Sequence, residues 1–170
     1  MQITHLYRSP GHNYFGHHGR ESSDHEVEAC TEVQSLAGRG IEGDRFLDYK
    51  GNNKGQFTFF ELETYEMLCE KLNVRNKSPG AFRRNVVTRG VSLAELIGKE
   101  FEVQGVHFLG MEESKPCYWM DEAFGPGAEA PMKGFGGLRA KILSNGVLRV
   151  DPETAPTIER ATTGAASKTL

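Results

Sequence analysis

The chain has 170 residues, 38% hydrophobic and 25% charged, with a net charge of -3 at pH 7. That length suits one domain with a sizeable core, or one domain plus a tail. The near-balanced charge supplies no broad field for nucleic acid or a membrane surface, and no run approaches the roughly 20 apolar residues of a membrane span.

Short strands and turns dominate the chain from its start. Residues 3–7 and 27–33 read as strands, separated by a polar loop over 9–24 rich in glycine and histidine. Thr58 with Glu61 has the form of a capping box. Leu62, Tyr65, Leu68, Cys69 and Leu72 then recur at helical spacing, which predicts an amphipathic helix over 60–72 with Cys69 on its apolar face. Val86 and Val87 form a strand core. Ser92 with Glu95 predicts a helix of one or two turns that stops at Gly98. Residues 99–103 and 106–110 alternate around Gln104-Gly105 as a hairpin. A second hairpin is expected over 138–150, because Asn145-Gly146 tolerates the positive φ of a type I′ turn. Antiparallel strands with a few short helices predict a mostly-β barrel over 1–150. Beyond Asp151 the large apolar residues are Ile158 and Leu170, so 151–170 is expected to be a mobile tail.

Cysteine usage bears on location. The three cysteines are widely spaced, against a disulfide framework, and Met1-Gln2-Ile3-Thr4-His5 lacks the basic and apolar regions of a signal peptide. A reducing cytoplasm is the expected compartment.

Cys117 is the residue richest in chemistry. It follows Pro116 and enters the apolar run Tyr118-Trp119-Met120, a setting for a helix N-terminus, where the dipole and free N–H groups favour thiolate. Lys115 adds positive charge. A thiolate is both a nucleophile and a soft metal ligand; the alternative is an inert buried cysteine. Arg83-Arg84-Asn85, directly before the valine strand, offers two guanidinium forks and an amide to an anionic ligand, or else is a solvated surface pair. Lys133-Gly134-Phe135-Gly136-Gly137-Leu138-Arg139 is a second run that permits close backbone approach.

Two motifs point to less. Gly38-Arg39-Gly40-Ile41-Glu42-Gly43 spells the dinucleotide fingerprint, but residues 44–51 read as a loop rather than a helix, so the context of a dinucleotide site is missing. Its glycines fit a tight turn that brings N–H groups and Arg45 towards a ligand. His12, His17, His18 and His25 lack the spacing of a structural zinc site and fit a ligand-facing loop with Asn13-Tyr14-Phe15.

Taken together, residues 37–45, 83–93, 96–99, Pro116-Cys117 and 136–140 occur in an order that resembles the MOSC domain, found also at the C-terminus of molybdenum cofactor sulfurases. The resemblance spans roughly residues 27–150. It implies a mostly-β barrel that binds the molybdenum cofactor, a phosphate-bearing pterin dithiolene, with Cys117 as the metal ligand. Arg45, Thr58, Arg83, Arg84, Asn85, Lys115 and Arg139 are the implied cofactor contacts. This chain departs from close stand-alone relatives at Ser114, where a second cysteine is common, and at Phe135, where arginine is common.

The implied activity is reduction of N-hydroxylated small substrates. Three cysteines cannot furnish the four ligands of an iron–sulfur cluster, so a separate flavin or iron–sulfur reductase is the expected partner. The alternative is a carrier, with Cys117 holding a persulfide or the domain holding the cofactor for an acceptor protein. A third possibility is a module that binds some other phosphate and leaves the thiol idle.

Overall fold

The structure, a computed structural model, describes residues 1–13, 21–51 and 53–152. The expectation for 151–170 therefore lies, from 153 onward, outside the described residues, as do His17 and His18.

Among the described residues, ten strands and two α-helices follow in chain order: β1 (Gln2–Arg8), β2 (Glu28–Cys30), β3 (Glu32–Leu36), β4 (Gly40–Ile41), β5 (Phe57–Glu61), α1 (Leu62–Leu72), β6 (Val86–Arg89), β7 (Glu100–Val103), β8 (Val106–Glu113), α2 (Trp119–Ala123), β9 (Leu138–Ile142) and β10 (Gly146–Arg149). Seven strands form one sheet in the order β2-β1-β6-β5-β9-β8-β7, and β10-β3-β4 form a second. The protein is thus mostly β with mixed sheets, since β5 runs parallel to β6 and antiparallel to β9. The hydrogen-bonded strands make two open sheets; a closed barrel is not found among the described residues.

Strand β5 shows why the sheet sits where it does. Side chains alternate across a strand, and both faces of this one are covered. Phe57 and Phe59 enter a core with Ile3, Leu6, Val86, Phe108 and Ile142, which also takes Val33, Ile41 and Leu148 from the smaller sheet. Phe60 enters a second core with Leu68, Phe82, Trp119, Phe124 and Met132. That second core supports the floor of the cavity described below.

Four sequence expectations are corrected. Thr58 lies inside β5 and does not cap a helix; α1 begins at Leu62 after Glu61, which makes no side-chain cap. The apolar alternation of Phe57 and Phe59 extends the strand through the capping-box pattern, and Glu61 instead accepts the Leu93 N–H at 2.7 Å. The span 27–33 is two strands, divided at Thr31, that belong to different sheets. Residues 138–150 are no hairpin: β9 pairs with β5 and β8, whereas β10 pairs with β3. Neither Asn145 nor Gly146 has positive φ. Asn145 Oδ1 instead accepts the Ala37 N–H at 2.7 Å, and the missing side chain of Gly146 leaves room for Val106, whose Cγ2 would lie 2.6 Å from a Cβ there. Ser92 precedes a single 3-10 turn, Leu93–Leu96, without capping it through its side chain.

The Gln104-Gly105 hairpin forms as expected, with φ of 50° and 80° at the turn and β7 paired to β8. Cys69 is partly buried against the second core. Among the described residues no helix is long and apolar enough to cross a membrane.

Candidate functional site

A cavity of about 400 Å³ opens where several segments meet: the loop between β4 and β5, Thr58 of β5, residues 82–84 before β6, the β8–α2 connection with the start of α2, Arg139 of β9, and residues 12–13. Arg45, Arg83, Arg84, Lys115 and Arg139 line it, together with Thr58 and Cys117, and among the described residues no Asp or Glu does. The structure therefore brings seven of the eight sequence-predicted residues to one cavity. Asn85 stays behind its wall.

The two adjacent arginines are held in different ways. A 3-10 turn, Pro79–Phe82, ends at Arg83 in the left-handed conformation, φ 55°. Arg83 is only 8% exposed, and its guanidinium donates to the carbonyls of Gly11 and His25, which ties the histidine loop to the site. Arg84 donates to three other carbonyls, of Phe82, Ser114 and Gly136. Burial, then the neighbouring Arg139, lowers its pKa to about 10.

Arg45 arrives from the loop that the glycines of 38–43 turn, as anticipated; those glycines themselves do not line the cavity. Its Nη1 lies 3.5 Å from Asp44 Oδ2 and its guanidinium carbon 4.7 Å above the Phe46 ring. Burial lowers its pKa, against the opposing effect of Asp44. Arg139 pairs with Glu112 at 3.3 Å, and Glu112 also takes Lys54 at 3.3 Å. Lys115 is exposed and makes no hydrogen bond or ion pair among the described residues.

Thr58 and Asn85 bond to each other and to the backbone. Asn85 Nδ2 further donates to Tyr7 O and Asp44 Oδ2, both at 3.3 Å. Both residues are buried, and their shared network braces β5 against β6 beneath the cavity.

Cys117 is exposed and free, on the cavity rim with Trp119 and Met120 below it. The helix that follows has five residues, so the dipole expected from the sequence is confined to little more than one turn. Ser114, the first departure from the family pattern, is buried on the wall. Phe135, the second, is 57% exposed on the neighbouring loop and does not line the cavity.

Aromatic surface closes one end. His12 meets the Phe46 ring edge-on at 4.9 Å and Tyr49 at 5.8 Å, and those two rings are 5.3 Å apart. Burial, followed by Arg45 and Arg83, pushes the His12 pKa down. Asn53 was not anticipated. Its Oδ1 accepts the Gly55 N–H at 3.1 Å, which fixes the amide orientation, while Nδ2 is buried with no hydrogen-bond partner among the described residues. The sequence carried only a weak sign of it, an Asn two residues before Gly in a turn. Among the described residues no group of three or more His, Cys, Asp or Glu stands together as a metal cage.

The sequence matches the MOSC domain family over residues 47–154, and the chain belongs to that family. Its fold is similar to that of the YuaD protein from Bacillus subtilis, with a TM-score of 0.67 at 16% identity, over 88% of this chain and 91% of that one. It is also similar to YiiM from Escherichia coli, TM-score 0.58 at 16% identity over 89% of this chain and 67% of that one, and to YiiM from Geobacillus stearothermophilus, TM-score 0.58 at 15% identity over 87% and 70%. No curated protein matches the sequence. The MOSC family is associated with the molybdenum cofactor.

Proposed function

We propose that this protein binds the molybdenum cofactor in the Cys117 cavity and reduces N-hydroxylated small substrates with electrons from a separate reductase. One observation carries the reading: an exposed thiol opens onto a cavity lined, among the described residues, by five cationic side chains and no carboxylate. The donor set fits the group. A thiolate suits a metal centre already rich in sulfur, Lys115, Arg45 and Arg139 suit a phosphate, and the unpartnered Asn53 amide suits an acceptor-rich heterocycle. The volume lies within the range of small-molecule sites. When bound, the cofactor supplies a two-electron centre able to accept an oxygen atom from a substrate. The chain's part is to hold it, to shield it from water with Trp119, Met120 and Phe82, and to present the thiol.

The test is metal and pterin content per chain after expression in a host that makes the cofactor. Wild type is expected to carry both and Cys117→Ala to lose molybdenum; equal, near-zero loading in both proteins overturns the reading.

The exposure of Cys117 favours a second reading, in which the thiol carries sulfur to an acceptor protein. Ser114 leaves no second thiol beside it for exchange. A gain of one sulfur atom on Cys117 after incubation with a persulfide donor, passed on to an acceptor, supports the carrier.

A further inference from the structure

Arg84 stands next to Arg83 but grips other segments. Its Nε donates to Gly136 O at 3.1 Å, Nη1 to Phe82 O at 3.0 Å and Nη2 to Ser114 O at 2.8 Å. All three guanidinium nitrogens thus end on main-chain carbonyls of three different segments: Phe82 and Ser114 belong to the cavity wall, and Gly136 to the glycine-rich run packed behind Ser114. Glu113 completes the arrangement from the other side, since its Oε1 accepts the N–H groups of Gly134 at 2.9 Å and Gly136 at 3.2 Å. Gly136 is consequently held at both its N–H and its carbonyl. The Ser114 N–H donates to Gly137 O at 2.8 Å, which closes the tie between the two loops.

There is no slack in this contact. A Cβ at Gly136 would lie 2.5 Å from Ser114 O and 2.7 Å from Pro116 Cδ. From the anchored Ser114 the chain runs through Lys115 and Pro116, whose φ is locked by its ring, to Cys117. The Cys117 carbonyl then accepts the Met120 N–H at 2.8 Å.

We propose that Arg84 is a positioning residue: by tying the carbonyls of Phe82, Ser114 and Gly136 together it sets where the Cys117 sulfur stands, without itself meeting the ligand. The inference deepens the proposed function and rests on its reading of Cys117 as the ligand-contacting thiol. The planar fork is what the task needs, because a lysine ammonium is a single point on a flexible stem and cannot reach three carbonyls spread around a plane. Burial lowers the Arg84 pKa to about 10, which leaves the group cationic at neutral pH.

The protein contains one tryptophan, Trp119, in the cavity wall two residues from Cys117. Its fluorescence is therefore a local reporter that a general loss of stability short of unfolding does not move. The experiment uses cofactor-free protein and the variants Arg84→Lys, Arg84→Ala and Glu113→Ala. It measures iodoacetamide labelling of the Cys117 peptide, Trp119 emission, and sulfate binding by calorimetry. In Arg84→Lys, Cys117 labelling is expected to change about tenfold, the size of losing one buried hydrogen-bond network, with a shift in Trp119 emission. Glu113→Ala removes the acceptor of the Gly134 and Gly136 N–H groups; it moves both readouts in the same direction without touching Arg84, and so serves if an Arg84 variant does not fold. Added methylguanidinium restores the labelling rate of Arg84→Ala towards wild type. Wild-type labelling and emission in Arg84→Lys and Glu113→Ala, with sulfate binding lost in Arg84→Lys, overturn the inference and make Arg84 a ligand contact. These readouts hold whether or not Cys117 binds molybdenum, so the two ideas fail separately.

Discussion

Thr58 and Asn85 exchange hydrogen bonds: Thr58 Oγ1 donates to Asn85 Oδ1 at 2.7 Å and accepts the Asn85 N–H at 3.0 Å, while the Thr58 N–H adds a third bond to Oδ1 at 3.1 Å. With Asn85 Nδ2 donating to Tyr7 O and Asp44, every polar side-chain atom of the pair is engaged inside the protein. Asn85→Ala orphans several buried groups together, so a loss of about 2 to 3 kcal/mol is expected. Urea denaturation of wild type and variant measures it. A variant of wild-type stability with impaired ligand retention would return Asn85 to the role of a ligand contact.

Arg83 and Lys115 make a contrasting pair. Arg83 is buried and donates to two carbonyls of the histidine loop, so Arg83→Ala should cost about 2 kcal/mol in stability. Lys115 is exposed, and Lys115→Ala should stay within about 0.5 kcal/mol of wild type while weakening sulfate binding, an effect that fades with added salt. Thermal melts and calorimetry at two ionic strengths separate them.

These contrasts mark what the sequence made legible. Adjacent arginines before a strand pointed to an anionic ligand, and Pro116-Cys117 before an apolar run pointed to a thiol at a helix start; both lie on the cavity. Chemistry of that kind belongs to single side chains and survives in the sequence. What the guanidiniums grip does not, because Arg83 reaches Gly11 across 72 positions and Arg84 reaches Gly136 across 52. Strand pairing was hidden for a similar reason. Gln104-Gly105 joins strands that pair with each other, whereas Asn145-Gly146, the stronger turn signal, joins strands whose partners lie elsewhere. Turn propensity is local; partner choice follows from the shared core. Asn53 was invisible because an unpartnered amide is defined only by what surrounds it.

Ligand binding should depend on pH through His12. Burial, then the charges of Arg45 and Arg83, hold its pKa below the ordinary 6.5, with Asp44 opposing and His25 adding to the depression. The unfolded chain therefore takes up the proton first as pH falls below 6.5, and stability declines from there down to the folded value, then levels. An anion seated among the cations reverses the local field and raises the His12 pKa, so binding is accompanied by proton uptake. Sulfate, whose charge is constant over this range, should bind more tightly at about pH 5.5 than at about pH 7.5. His12→Gln should flatten that dependence, and an NMR titration of the His12 ring should move upward when sulfate is present.

Asn53 gives the sharpest separation of binding from stability. Its Nδ2 is buried with no acceptor among the described residues, and an unsatisfied buried donor costs about 1 to 3 kcal/mol. Removing the donor relieves that penalty, although Asn53→Ala also loses the Oδ1 bond to the Gly55 N–H. The better variant is Asn53→Asp, which keeps that acceptor and replaces the orphan donor with a carboxylate oxygen. Stability of the cofactor-free protein should change by less than about 1 kcal/mol, while the added negative charge on a cavity otherwise lined without carboxylates should lower anion affinity at least tenfold or so. Sulfate calorimetry and melting curves on the same samples read both effects. Unchanged affinity in Asn53→Asp would place this amide outside the ligand's reach and assign recognition to the cationic side alone.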